Sequence, residues 1–167
     1  MEVDNLKYIP QWGDKLIDRV KQAGISSITT DNVGDIEELY HIGKKRIQYL
    51  EYFLDKYNPD KIVEKTDEFI IQKTEDKLFD IFFSNTDNSL EMARVEVISE
   101  NRVKGQILFK SKDGEDLYRL KFKTTQNAIR PYGNEILSTS AQKLIWRVSE
   151  IALARAGQKF KTVSTRI

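Results

Sequence analysis

The spacing of hydrophobic residues predicts three helices in the first third of the chain. In chain order, these helices cover residues 11–23, 33–40 and 44–57. Gly24 follows the first helix as a stop signal, and Asn58-Pro59 ends the third. Asp31 or Asn32 is placed to cap the second helix. This part of the chain is therefore predicted to be an all-helical module.

After a charged linker at 60–67, the pattern changes to short segments rich in β-forming residues. Five strands are predicted, and they cover residues 69–73, 78–84, 93–99, 103–110 and 117–124. The gaps between them are short and contain turn residues, so neighbouring strands are expected to be antiparallel. Lys112-Asp113-Gly114 is the strongest of these turns, because Asp-Gly tolerates the positive φ of a tight hairpin. A loop at 126–137 is expected to follow the last strand.

A final helix is predicted over residues 141–156, with Ser138 or Ser140 as its cap. Its apolar side chains fall on one face, which suits a helix that covers a sheet. The whole pattern predicts an α+β protein. An all-helical domain at 1–59 is expected to precede a domain at 60–167, in which an antiparallel sheet of about five strands packs with the C-terminal helix.

Composition excludes some kinds of site and leaves the partner open. The chain has no cysteine and one histidine, so cysteine-ligated zinc and a histidine-rich metal site are excluded, and no cofactor is expected. The net charge of +1 gives no whole-chain preference for nucleic acid. No signal peptide and no apolar run of membrane-spanning length is found, which predicts a cytoplasmic protein without a membrane partner.

The C-terminal end of the chain is basic. No acidic side chain follows Glu150, and the cations after it are Arg155, Lys159, Lys161 and Arg166. Two interpretations stay open: this end contacts phosphates, or it is an ordinary solvated terminus.

The most informative stretch connects the second and third predicted helices. From Ile36 to Arg46 it reads Ile-Glu-Glu-Leu-Tyr-His-Ile-Gly-Lys-Lys-Arg. Together with Ala23-Gly24-Ile25, it resembles the helix-hairpin-helix family of DNA-repair, recombination and ribosomal proteins. It is most similar to the C-terminal domain of the bacterial RNA polymerase alpha subunit. That domain has Ala-Gly-Ile after its first helix and a Leu-Gly-Lys/Arg-Lys turn into its last helix. The resemblance covers residues 12–57 only.

The resemblance implies that this hairpin contacts a nucleic-acid backbone. Free N–H groups at the start of a helix, together with the helix dipole, favour an anion such as a phosphate. Gly43 allows close approach of the backbone, and Lys44, Lys45 and Arg46 add positive charge. Contacts of this kind read the backbone rather than the base sequence.

His41, Lys15 and Asp18 differ in how well they match the corresponding residues of the proteins that the hairpin resembles. His41 stands where many helix-hairpin-helix turns have glycine, and histidine tolerates the left-handed conformation better than most residues. It is interpreted as a structural residue, a general base or a ligand, and it would add charge to the hairpin at lower pH. In the polymerase domain, a basic residue and an asparagine of the first helix contact the minor groove. Lys15 fits the first place, whereas Asp18 occupies the second and would repel phosphate.

The predicted strand at 117–124 alternates cations with apolar residues. Its cations share one face and are Arg119, Lys121 and Lys123. Lys104 and Lys110 lie on the neighbouring predicted strand. Two interpretations stay open: a patch that tracks a nucleic-acid backbone, or a charged solvent face balanced by carboxylates such as Glu96.

No catalytic site is predicted, and the protein is expected to be non-enzymatic. A metal-dependent nuclease would need two or three acids that converge on Mg²⁺. The acids on or beside predicted strands are Asp80, Asp87, Glu91, Glu96 and Asp116. The chain has no Walker-type loop, no Gly-x-Gly-x-x-Gly, no Gly-x-Ser-x-Gly and no His-Glu-x-x-His.

The first hypothesis is a nucleic-acid-binding protein, with DNA favoured over RNA, that acts in transcription or DNA handling. The alternative is an adaptor that docks through its helical module on a protein partner, such as a transcription or replication complex. A metal-dependent nuclease is the third hypothesis. Self-association is a further option that the sequence leaves open.

Overall fold

The helices form where the hydrophobic spacing predicts them. The computed structural model describes residues 1–39, 42–84, 90–110, 117–125, 128–131 and 138–157. The α-helices in these ranges are α1 (Asp14–Gln22), α2 (Val33–Glu37), α3 (Gly43–Lys56) and α4 (Thr139–Arg155). Gly24 and Gly43 have φ values of 83° and 76°, which glycine adopts without a steric penalty. Gly24 thus follows the end of α1 as predicted, and Gly43 turns the chain into α3.

The capping prediction is confirmed at α4 and wrong in its mechanism at α2. The Ser138 hydroxyl accepts a hydrogen bond from the Ala141 N–H at 3.1 Å. Asn32 precedes α2, but its side chain makes no capping bond there. Its Oδ1 accepts from the Thr29 N–H at 2.9 Å, and its Nδ2 donates to the Ser27 carbonyl at 2.7 Å. Because both polar atoms face backwards along the chain, Asn32 fixes the loop before α2.

The first residues of the chain contain an element that the pattern did not predict. A 3-10 helix spans Val3–Tyr8, and Leu6 and Ile9 are fully buried. The Tyr8 hydroxyl donates to the Thr66 carbonyl at 2.6 Å, close to the start of the sheet. A single 3-10 helix of this length is too short to show helical periodicity in a sequence.

The strands form one antiparallel meander in which the order in the sheet equals the order in the chain. Within the described ranges, the strands are β1 (Ile62–Lys65), β2 (Phe69–Glu75), β3 (Leu78–Phe83), β4 (Leu90–Ser99), β5 (Arg102–Lys110), β6 (Leu117–Thr124) and β7 (Ile129–Pro131). Strands β2 to β6 correspond to the five predicted strands. The sheet is larger than predicted because β1 lies in the expected linker and the three-residue β7 lies in the expected loop.

Helices cover both faces of the sheet. Ile71 and Phe79 belong to the cluster that includes the buried residues of α4, such as Ile145. Ile70 and Phe82, on the opposite face, belong to the cluster formed by the N-terminal helices. The α+β class, with an antiparallel sheet and a C-terminal helix, is confirmed.

The division into two domains at residue 59 stays a prediction. Side chains from both sides of this position share one hydrophobic cluster. No helix in the described part of the chain is both long and apolar enough to cross a membrane.

Candidate nucleic-acid interface

The start of α3 presents cations without acidic partners. Gly43 is the first residue of the helix, and no side chain caps its first turn. Lys44 and Lys45 are exposed, and neither forms an ion pair within the described part of the chain. The helix dipole adds partial positive charge at the same place. This turn therefore combines two exposed ammonium groups with backbone donors that suit an anion.

Arg46, the third cation of the hairpin, is bound to protein carbonyls. Its Nε donates to the Gln11 carbonyl at 2.9 Å, and an Nη donates to the Ile42 carbonyl at 3.1 Å. The Trp12 indole N–H donates in turn to the Arg46 carbonyl at 3.1 Å. These bonds hold the start of α3 against the loop before α1, so the half-buried Arg46 positions the turn. Its predicted contact with phosphate stays a prediction.

Of the two other residues predicted for the hairpin site, Lys15 is described by the structure and His41 is not. Lys15 is exposed in the first turn of α1, beside the loop that Arg46 holds, and Asp18 is exposed one turn further on. His41 lies outside the described residues. The roles predicted for Lys15 and His41 remain predictions.

The C-terminal end of α3 is fixed over β2 and β3. The Gln72 side chain of β2 donates to the Lys56 carbonyl at 2.9 Å, and its Oε1 accepts from the Asn58 N–H at 2.6 Å. One turn earlier in α3, the Phe53 ring meets the Phe82 ring of β3 edge-on, with centroids 4.6 Å apart. Gln72 is itself buried, so both ends of its amide are satisfied by the backbone at the end of α3.

The N-terminal half of α3 lies toward β6. Burial raises the pKa of Tyr49, the Glu91 carboxylate raises it further, and the Arg119 guanidinium of β6 lowers it. Tyr49 therefore lies near Arg119, one helical turn after Lys45. Tyr52 of α3 also lines a pocket with Arg119, and α3 packs with Ile70 and Phe82 on this face of the sheet, so Lys44 and Lys45 are on the same side of the sheet as Arg119.

On this side, the strands beyond α3 arrange their charges in rows across the sheet. In the first row, Asp80 of β3 pairs in register with Arg94 of β4, Arg94 with Gln106 of β5, and Gln106 with Lys121 of β6. Asp80 lies 3.7 Å from the Arg94 guanidinium and accepts a 2.6 Å hydrogen bond from Thr74. Arg94 thus has a carboxylate partner, whereas Lys121 forms no ion pair among the described residues.

The second row repeats this order. Glu96 of β4 pairs in register with Lys104 of β5, and Lys104 pairs with Lys123 of β6. Lys104 lies 3.6 Å from the Glu96 carboxylate. Lys123 faces another cation and, like Arg119, forms no ion pair in the described ranges. In these two rows the carboxylates thus pair with Arg94 and Lys104 and leave Lys121 and Lys123 without acidic partners among the described residues.

An open recess lies between these rows, with a volume of about 630 Å³. Its lining consists of Leu78, Arg94, Glu96, Lys104, Gly105, Gln106 and Lys121. We call it the sheet recess. A Cβ atom added at Gly105 would lie 2.1 Å from the Arg94 carbonyl oxygen, so the strands approach closely at its floor. Only glycine permits this approach.

The acids considered for a nuclease do not converge on one point. Asp80 pairs with Arg94, and Glu96 pairs with Lys104. Glu91 lies 2.9 Å from the Lys110 ammonium group. Asp87 and Asp116 lie outside the described residues. Among the described residues, no group of three or more potential ligands could hold a metal ion.

Some residues of this surface were missed by sequence reasoning. Tyr49 and Tyr52 follow Lys45 at helical spacing, which marks one face of α3 and was available in the sequence. Arg94 and Gln106 join Lys121 only through strand register, which no local pattern reveals.

Comparisons with protein-family models, curated proteins and solved structures give no match. The functional argument therefore rests on the geometry and charge of this surface.

Proposed function

We propose that this protein is a non-enzymatic nucleic-acid-binding protein that holds the phosphate backbone at the start of α3. The observation that carries the proposal is that two sets of cations without acidic partners lie on one side of the sheet. One set is Lys44 and Lys45, and the other is the β6 row, which consists of Arg119, Lys121 and Lys123. Such a surface attracts a polyanion, because its positive charge is not offset by neighbouring carboxylates.

The geometry of the turn supports the same ligand. Gly43 has the positive φ that a tight turn into a helix requires, and Arg46 fastens this turn to the loop before α1. A phosphate at the first turn of α3 gains backbone N–H donors and two lysine charges. The helix-hairpin-helix resemblance assigns Gly43, Lys44 and Lys45 to the phosphate-binding turn, so assignment to that family is part of the proposal.

The class of nucleic acid follows from the resemblance rather than from contacts. Phosphate contacts do not distinguish base sequences. We infer DNA as the ligand, and transcription or DNA handling as the setting, because the polymerase alpha domain and the repair proteins that the hairpin resembles act on DNA.

The test is the binding of a fluorescently labelled duplex DNA, followed by anisotropy at about 50 mM and about 200 mM salt. We expect affinity to fall steeply with salt. The variant Lys44→Glu/Lys45→Glu should lose about tenfold or more in affinity, and its slope of log K against log salt should become shallower by about 2. Acidic residues are favourable at a helix N-terminus, so the fold of this variant should be retained.

The matched control is Lys73→Glu/Lys143→Glu, which makes the same charge change at exposed positions. Lys73 shares the sheet face of Ile71, opposite to the proposed surface, and Lys143 lies on α4. When the two proteins are compared at the same salt concentration, this control should bind within about twofold of the original protein.

DNA should also remain intact after incubation with the protein and Mg²⁺. Absence of binding at low salt would contradict the proposal and favour the adaptor hypothesis.

A further inference from the structure

We propose that the sheet recess is a binding site for single-stranded nucleic acid, an inference that rests on the proposed nucleic-acid-binding function. The recess lies on the side of the sheet that carries Lys44 and Lys45, and Lys121 forms part of its rim. On this proposal, a strand held at the start of α3 runs along the cations of β6 to the recess.

The cations of β6 are spaced for an extended strand. Residues two apart on one face of a β-strand are separated by roughly 6.6 Å. Arg119, Lys121 and Lys123 thus form an evenly spaced row, with a spacing close to that of successive phosphates in an extended nucleic-acid strand. Single-stranded sites typically combine such a cationic track with groups that contact the bases.

The floor of the recess suits a base rather than a phosphate. The half-buried amide of Gln106 offers both a donor and an acceptor, and it forms no hydrogen bond within the described part of the chain. In a duplex, the base edges are paired and turned inward. An unpaired strand can extend a base to this floor without opening a helix.

The approach to the recess carries an exposed aromatic ring. Tyr52 of α3 is 37% exposed and lies beside Arg94, Gln106 and Arg119. Base stacking on an aromatic side chain is tolerant of sequence, because every base has a π-face. The Lys56 ammonium group lies 5.8 Å from the centroid of this ring, so we expect a base to stack on the other face of Tyr52.

The pairing of Lys104 with Lys123 points to the same kind of ligand. Like charges directly opposite on neighbouring strands destabilise a sheet. Glu96 offsets the charge of Lys104, and nothing in the described ranges offsets that of Lys123. A phosphate bound between the two ammonium groups would remove this repulsion.

The experiment compares three double variants, each against a labelled oligothymidylate and a labelled duplex. The variants are Lys121→Glu/Lys123→Glu, Lys44→Glu/Lys45→Glu and the control Lys73→Glu/Lys143→Glu. The β6 variant should lose about tenfold in affinity for the single strand and only about threefold for the duplex, because the duplex loses the general attraction of these charges but no contact in the recess. The α3 variant should weaken both ligands. Circular dichroism verifies that each variant is folded.

A neutral substitution tests the base contact separately. Gln106→Met preserves size and charge but removes the amide, and it should cost about fivefold in single-strand affinity with no change in salt dependence. Unchanged single-strand binding by this variant would contradict the base contact.

Two outcomes would overturn the recess as a single-strand site and leave the α3 proposal standing. One is full single-strand affinity in the β6 variant, and the other is an equal loss for both ligands. If the unmodified protein binds neither ligand at low salt, the proposed function itself fails.

Discussion

At the scale of single residues, Lys123 is the least favourably placed cation on the proposed surface. It faces Lys104 directly across β5 and β6, and the carboxylate in that row, Glu96, lies on the far side of Lys104. Opposed like charges cost stability, whereas opposite charges in the same geometry contribute to it. The arrangement suits a surface whose missing negative charge is supplied by a ligand.

Replacement of Lys123 should therefore separate stability from binding. Lys123→Glu converts a repulsive pair into an attractive one and should raise the free energy of unfolding by about 0.2–1 kcal/mol. The same variant should bind single-stranded DNA more weakly. Urea unfolding and anisotropy measure the two effects.

Lys123→Gln is the matched comparison, because it removes the repulsion without adding an attraction. Its stability should lie between those of the original protein and Lys123→Glu. A Lys123→Glu protein that is less stable than the original would contradict the predicted role of the like-charge pair.

At the scale of elements, α3 connects the turn at Gly43 to the sheet. Its C-terminal end is fixed by the buried Gln72, which satisfies a backbone N–H and a backbone carbonyl at once. The direction of α3 across the sheet depends on this anchor and on the packing of Phe53 against Phe82. The position of Lys44 and Lys45 relative to β6 follows from that direction.

Removal of the Gln72 amide should loosen this arrangement. Gln72→Ala leaves the Asn58 N–H and the Lys56 carbonyl without their partner, and it should destabilise the protein by about 1–3 kcal/mol. The control is Gln48→Ala at an exposed position of α3, which should change stability by less than about 0.5 kcal/mol. Urea unfolding measures both, and equal effects would contradict the anchoring role.

The sequence predicted those elements that are long and periodic. Helices α1, α3 and α4 and strands β2 to β6 repeat a hydrophobic pattern over enough residues to be recognised. Strand β1 was missed because its charged residues, Glu64 and Lys65, match a solvated linker. The turn at Gly43 was predicted from local chemistry, since glycine, two lysines and a helix start are adjacent in sequence.

The recess was not predicted, because its residues come together only through strand register. Lys121, Gln106 and Arg94 belong to three strands, and a shift of one residue would turn each to the opposite face. Arg46 was predicted as a phosphate contact because its charge is visible in the sequence. Its bonds to the Gln11 and Ile42 carbonyls depend on tertiary structure.

At the scale of the whole molecule, the sheet separates two hydrophobic clusters that both depend on it. Trp12 is buried in the cluster of the N-terminal helices, and Trp146 packs against the cluster of α4 on the other face. Ile70 and Ile71 are adjacent in β2 and belong to different clusters. Loss of the sheet would expose both clusters together.

We therefore expect a single cooperative unfolding transition. In Trp146→Phe the fluorescence reports on Trp12, and in Trp12→Phe it reports on Trp146. For each variant, the fluorescence transition should coincide with the loss of circular dichroism measured on that same variant. Separate transitions would instead support two independent domains divided near residue 59.

The meander order of the sheet has a consequence for how the chain acquires its structure. Every strand pairs with its neighbour in the sequence, so each pairing closes a short loop and costs little chain entropy. Local connectivity of this kind is associated with rapid folding. A chain emerging from the ribosome can thus form β1 to β5 one hairpin at a time, before α4 has been synthesised. The face that α4 covers stays exposed until that helix arrives, which makes the last part of synthesis the period of greatest risk of aggregation.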